Sequence, residues 1–218
     1  MDTNLWMTFP ALAGVRHRFV LRHPNMDMQV DRAEALARLA PWHADHVTEL
    51  GFTPEQLKTA EQVHGDVVAV VDRDSAPLAM GADGLITRDP SVLLGIYVAD
   101  CGAVFLADRK SGSVGLVHSG KKGSELGISA KAIQAMAREF GADPADITVH
   151  LSPCIRPPSY EVDFAAEIRR QCLEAGILEI HFHDDGLCTS GDLGRFYSYR
   201  VEKGRTGRML GLVSCLPG

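Results

Sequence analysis

Apolar positions along the chain fall into two rhythms, and each rhythm predicts a type of element. Short runs that are apolar throughout, bounded by turn residues, read as strands. Val67 to Val71 is one, closing at Asp72. Val92 to Ala99 is nearly all apolar, as expected of a strand buried on both faces. Ala103 to Ala107 follows, and Lys110-Ser-Gly-Ser113 turns it back as a hairpin into Val114 to Val117. Ile147 to Leu151, Leu178 to Phe182 and Arg208 to Leu216 read as further strands. Phe19-Val-Leu-Arg22 is a short candidate strand before a turn at His23-Pro24-Asn25.

The second rhythm is helical. It covers Asp31 to Leu39, with Ala33, Leu36 and Leu39 on one face. Gly120-Lys-Lys-Gly123 reads as a loop, and Ser124 as the N-cap of the next helix. Leu126, Ala130, Ile133, Ala137 and Phe140 form that helix's apolar face, and Gly141 ends it. Phe164 to Ala175 is a helix stopped by Gly176, and Asp192 to Val201 also reads as helical. Strands and helices mix without strict alternation, and no repeat or linker divides the chain. The expected fold is α/β (or α+β), a single domain over residues 1–218 with a mixed β-sheet flanked by helices.

Composition narrows the class. The 218 residues are 45% hydrophobic, enough for one sizeable core. The net charge is -6 and no basic stripe appears, so a nucleic-acid partner is not expected. Met1 to Met7 lacks the pattern of a signal peptide. No apolar stretch nears the roughly 20 residues needed to span a bilayer. The five cysteines are odd in number, scattered and without a CxxC pair. They read as cytosolic thiols and exclude a zinc ribbon. The expectation is a cytoplasmic protein with no membrane partner.

Three segments carry candidate chemistry: Gln62-Val-His64, Ala99-Asp-Cys101 and His118-Ser-Gly-Lys-Lys-Gly123. Each lies at or beside a strand end, where a sheet can aim side chains at one point. Singly, each His or Cys is an ordinary core or surface residue. Together, His64, Cys101 and His118 suit a zinc ion with three protein ligands and an open fourth position, the catalytic form of zinc site. Ligand atoms within about 4 Å of one another would match its bond lengths. Asp100 is a candidate acceptor to orient a neighbouring imidazole. The loop and helix start after His118, with Lys121 and Lys122, form a candidate anion site.

Other residues carry less. His181-Phe-His183 is a single His-x-His pair, His43 and His46 read as a solvent face, and Cys154 in its Pro-bounded turn could line a pocket. Cys172 and Cys215 read as core, and Tyr197, Ser198 and Arg200 as one polar helical turn.

Taken in order, these residues resemble the YfiH-like family, also called DUF152 and named multicopper polyphenol oxidase or laccase-domain proteins. His17-Arg-Phe-Val-Leu-Arg22, Gln62-Val-His64-Gly65, Ala82-Asp-Gly-Leu-Ile-Thr87 and Ala99-Asp-Cys101 resemble its motifs. So do His118-Ser-Gly-Lys-Lys-Gly123, Ser152-Pro-Cys-Ile155 with Tyr160-Glu-Val162, and Phe196-Tyr-Ser-Tyr-Arg200 with Thr206-Gly-Arg-Met209. Singly the motifs are weak; seven in order, from about Gly14 to Leu216, are specific.

The resemblance implies a compact α/β sandwich in which His64, Cys101 and His118 bind zinc, or copper in some readings. It implies purine nucleoside chemistry: phosphorolysis of adenosine, inosine, guanosine or methylthioadenosine, and deamination of adenosine. Bacterial relatives named peptidoglycan editing factors would make the substrate a cell-wall precursor. The small-molecule partners implied are a purine nucleoside and phosphate. Arg22 and Lys122 are candidates to hold phosphate, Gln62 to lie near the ribose or base, and Arg200 to close the pocket.

The family's Trp-Arg is replaced here by Lys121-Lys122, and the chain is short near residues 23–31. Three alternatives follow. Cys101 could be a hydrolase nucleophile with His64 or His118 as its base. The chain could be a copper polyphenol oxidase, which the single His-x-His pair and the lack of an evident axial Met disfavour. The site could also have decayed into a binding module.

Overall fold

Successive residues of a strand point to opposite sides of its sheet. In the central strands of this protein both sides are buried, which places every sheet between two apolar layers. The computed structural model describes residues 5–216. Its strands are β1 (Trp6–Met7), β2 (Arg16–Val20), β3 (Leu57–Ala60), β4 (Val68–Val70), β5 (Leu78–Ala79) and β6 (Gly84–Thr87). They continue as β7 (Leu93–Val98), β8 (Gly102–Asp108), β9 (Ser113–Ser119), β10 (Ile147–Leu151), β11 (Phe182–Asp184) and β12 (Met209–Ser214). The helices are α1 (Arg32–Glu49), α2 (Lys121–Glu125), α3 (Ile128–Phe140) and α4 (Phe164–Glu174).

Two six-stranded mixed sheets result, ordered β1-β2-β12-β7-β3-β5 and β11-β10-β8-β9-β6-β4. Phe19, Leu94, Ile96 and Val213 of the first sheet meet Leu85, Ala103, Phe105 and Leu116 of the second in one shared core. Their neighbours Val20, Leu93 and Leu212 point out, into a cluster with Val47 of α1. Val104, Leu106 and Val117 point out of the second sheet onto Ile128, Ile133 and Met136 of α3 and Ile168 of α4. The expected sandwich is therefore present, with two mixed sheets rather than one and a helical layer outside each. Among the described residues, no helix is long and apolar enough to cross a membrane.

Several boundaries differ from the sequence reading, each for a local reason. The first helix runs on to Glu49, through Pro41. Asp31 caps it by accepting from Glu34 N at 3.0 Å. Its buried face is Ala35, Leu39, His43, His46 and Val47, while Ala33 is exposed. Burying side chains such as Leu39 and Val47 contributes about 1.5–3 kcal/mol each, enough to offset the ~3 kcal/mol of an internal proline. The segment expected to be a loop at Gly120–Gly123 instead opens α2, with Gly120 as N-cap and Ser124 inside the helix. Gly127, at φ 75°, separates α2 from α3, and Leu126 is left 40% exposed between them.

Leu178–Phe182 is not a strand. Glu179–His181 forms a 3₁₀ turn with Ile180 74% exposed, and the strand starts at Phe182, parallel to β10. Asp192–Val201 is not helical but a succession of turns, with Phe196, Tyr197 and Ser198 buried. The early strand is shifted, ending at Val20 instead of Arg22.

Candidate active site

The chain passes from the first sheet to the second twice at this site: between β3 and β4, through residues 61–67, and between β7 and β8, through residues 99–101. His64 lies in the first crossing and Cys101 in the second, while His118 lies one residue before the end of β9. Such abrupt crossings need unusual backbone. Gln62, His64 and Asp100 have φ of 63°, 60° and 77°. Left-handed backbone at non-glycine residues costs of order 1–3 kcal/mol each and persists only where surroundings hold it.

The surroundings are specific. Gln62 N donates to Ala82 O at 2.9 Å. The Gln62 amide closes on the backbone of Tyr97, donating to its O at 2.6 Å and accepting from its N at 3.0 Å. Asp83, 0% exposed, accepts from the N–H groups of Val63, His64 and Gly65 at 3.0, 2.9 and 2.7 Å. It also accepts from His118 Nδ1 at 2.8 Å. One carboxylate thus fixes the His64 loop and turns the Nε2 edge of His118 away from itself. Asp100 is held by Thr189 Oγ1 at 2.6 Å and by Arg200 N at 2.7 Å. The imidazole acceptor is therefore Asp83 and not, as expected, Asp100, which ties down the C-terminal segment.

The three candidate ligands converge. His64, Cys101 and His118 each offer one ligand atom, all within 4.8 Å of one another. The rings of His64 and His118 are 4.8 Å apart between centroids and inclined at 77°. The 4.8 Å bound on the ligand atoms is somewhat wider than the expected ~4 Å. Gly120 permits the crowding: a Cβ there would stand 2.4 Å from Cys101 Sγ.

The charges also suit a cation. Burial pushes the Cys101 thiol up, but the charges and hydrogen bonds of His118 and His64 outweigh it and bring it down to about 6. Burial works against charge on His118 too, yet Cys101 and Asp83 raise it to about 9. Burial pushes Asp83 up, and the bonds from His118, Gly65 and His64 carry it below its usual range. A ready thiolate, an imidazole with Nδ1 fixed by a carboxylate and a second imidazole form a donor set that fits a divalent metal. It is the one such group among the described residues.

The group opens on a cavity of about 830 Å³. Tyr97, Ile155, Tyr160 and Phe164 give its lining apolar surface, and Arg32, Lys121, Arg200, Lys203 and Arg208 give it positive charge. Gln62 lines it with its amide already engaged, and Arg200 lines it while paired with Glu161 and stacked on Tyr160 at 4.8 Å.

Arg22 and Lys122 are not brought to the wall. Arg22 is bound to Glu202 at 2.9 Å and stacked on Tyr197 at 4.7 Å. Lys122 is exposed on α2, and Lys121 takes the place expected of it. Cys154 is buried beside the cavity rather than lining it, its thiol pushed up by burial to about 12. His43 and His46 are buried under α1 instead of forming a solvent face. His181 turns its Nδ1 to Ala145 O at 2.8 Å, and His183 lies over His150 with ring centroids 6.5 Å apart. Sequence reasoning passed over Asp83, Arg32 and Arg208. Asp83 and Arg208 do lie within the segments Ala82-Asp-Gly and Thr206-Gly-Arg, where a charged residue flanks a glycine.

Comparison with known proteins agrees with this fold. The model of a family described as multi-copper polyphenol oxidoreductase laccase matches residues 20–167 and 162–216. A purine nucleoside phosphorylase of Deinococcus radiodurans is 35% identical, covering 87% of this chain and 81% of its own. Purine nucleoside phosphorylase YlmD of Geobacillus stearothermophilus is 30% identical, covering 87% of this chain and 82% of its own. The crystal structure of YlmD superposes with a TM-score of 0.83 over 100% of this chain and 98% of that one, at 27% identity. Bacillus licheniformis YfiH shares the fold with a TM-score of 0.82, at 23% identity and over 93% of both chains. The chain belongs to the multi-copper polyphenol oxidoreductase laccase family.

Proposed function

We propose that this protein is a zinc-dependent purine nucleoside phosphorylase, a single domain over residues 1–218 acting in the cytoplasm. The observation that carries the reading is the convergence of His64, Cys101 and His118 at a cavity lined by both aromatic and cationic side chains. The names of the relatives supply the substrate class. In the reaction a phosphate oxygen bonds to C1′ of the ribose as the C1′–N9 bond breaks. The purine leaves with that electron pair and takes up a proton.

His64, Cys101 and His118 would hold the zinc, which when bound would supply Lewis acidity at the cavity. Cys101 offers its thiolate at neutral pH, and Asp83 fixes the tautomer of His118. Tyr160, Phe164 and Ile155 offer the base an apolar wall that excludes water. Zinc is favoured over copper because, among the described residues, no Met lines the cavity. The same Lewis acidity would serve deamination of adenosine.

The test is direct. Zinc-loaded protein with inosine and phosphate should release hypoxanthine and ribose 1-phosphate, and with adenosine either adenine or inosine. Absence of all these products with zinc confirmed bound overturns the assignment. One observation favours a second reading, a metal-free hydrolase: Cys101 lowered to about 6 beside His118 raised to about 9 is a thiolate–imidazolium pair. Turnover that survives chelation and is lost in Cys101→Ser would establish it instead.

A further inference from the structure

The cavity wall is electropositive although the chain as a whole is acidic. Five Lys or Arg and two Asp line it, against a net charge of -6. The two carboxylates are occupied: Asp100 accepts from Thr189 and Arg200 N, and Asp31 caps α1. Among the cations, Arg200 is paired with Glu161, and Lys121 and Lys203 are exposed to water. Arg208 is different. It is only 8% exposed, and among the described residues no carboxylate lies within ion-pair distance of it.

The geometry of Arg208 is also fixed. Its Nη1 donates to Thr206 O at 2.8 Å and to Gly207 O at 2.9 Å, both in its own turn. Its Nε and Nη2 have no acceptor among the described residues, and this is the edge of a guanidinium that binds two oxygens side by side. Arg32 adds a second guanidinium to the same wall, bonded only to the neutral Glu61 O at 3.2 Å. Burial first, and then the charge of Arg32, pull Arg208 below the usual guanidinium range, against a smaller opposing pull from Tyr199, Cys101 and Asp100. Two such groups, one of them buried, are destabilising without an anion between them.

We propose that Arg208, supported by Arg32, is the seat of the dianionic phosphate co-substrate, taking two of its oxygens on the free Nε–Nη2 edge. An uncharged nucleoside gives no reason for an unpaired buried guanidinium; a phosphate does. This assigns to residues outside the expected Arg22 and Lys122 the anion-binding task, and it rests on the phosphorolysis reading.

The experiment is calorimetric titration of the full-length protein with inorganic phosphate, using wild type, Arg208→Met and Arg208→Lys. Binding needs no turnover, so failure of the phosphorylase reading shows as phosphate binding without products. Arg208→Met should weaken phosphate binding at least tenfold, with Arg208→Lys between. In turnover, the KM for phosphate should rise at least tenfold while that for inosine changes less than threefold. Circular dichroism checks that both variants keep the fold, since Arg208→Met also loses the bonds to Thr206 O and Gly207 O. Unchanged phosphate affinity in both variants overturns the proposal. So does a nucleoside 5′-monophosphate that binds tenfold more tightly than phosphate and loses that advantage in Arg208→Met, since the anion would then belong to a nucleotide.

Discussion

His118 and His150 are both buried strand histidines, and they end in opposite states. His118 is raised to about 9 because Cys101 and Asp83 face it despite its burial. His150 is lowered to about 3 because burial prevails, with His183 and His17 adding repulsion. It stacks on Phe9 at 3.7 Å, and neither ring nitrogen has a hydrogen-bond partner. The Asp185 carboxylate stands 3.6 Å off, too far to bond. His43, under α1, repeats the pattern: about 3, through burial and then His46, with both nitrogens unpartnered. Burial alone turns an imidazole into a neutral packing ring. A buried carboxylate and a thiol beside it turn the same ring into a charged or metal-ready one.

The comparison breaks most sharply at Cys101. Cys101→Ala should lower zinc from about one per chain to near zero and turnover by roughly 10³-fold or more. Plasma mass spectrometry and product assay read the two effects. Retained zinc would show that the three side chains do not hold the metal. The next largest effect is at Asp83. Asp83→Asn weakens four bonds to the His64 loop and His118. Zinc affinity should fall about 10–100-fold and stability by about 1–3 kcal/mol, measured by urea unfolding. Loss of stability with unchanged zinc affinity would reduce Asp83 to a loop anchor.

What the sequence showed of this difference was uneven. His64, Cys101 and His118 stood out because each imidazole or thiol lay at the end of an apolar run, and those runs proved to be strands. Val92–Ala99 and Ala103–Ala107 read correctly because both their faces are buried. Asp83 was invisible as a hub: its four donors come from residues 63–65 and 118, brought together only by pairing β6 with β9. Arg208 looked like the start of a strand, and the freedom of its guanidinium edge is a tertiary fact. The segment Leu178–Phe182 misled because an apolar run can cover a 3₁₀ turn with Ile180 in solvent. Asp192–Val201 misled because the buried Phe196 and Tyr197 are held by packing and turns, which leave no helical period to read.

The smallest effect isolates the inert histidine. In the unfolded chain His150 titrates near 6.5, and in the folded protein near 3. Between those values the unfolded state binds more protons, so the contribution to stability is complete above pH 6.5 and is lost as pH falls. The slope is about 1.4 kcal/mol per pH unit for one histidine. His150→Leu removes that proton but also loses the stack on Phe9, so at pH 8 the variant should be no more stable than wild type. Between pH 8 and pH 5 the difference should move by about 2 kcal/mol in the variant's favour, read from urea unfolding at both values. The His118–Cys101 pair gives no such slope in metal-free protein. The raised imidazole contributes below pH 6.5 and loses its contribution as pH rises towards 9. The lowered thiol contributes above pH 9 and loses its contribution as pH falls towards 6, so the two offset across that window. A difference that stays constant from pH 8 to pH 5 would mean that the folded His150 takes up its proton as readily as the unfolded one, and so is not a neutral packing ring.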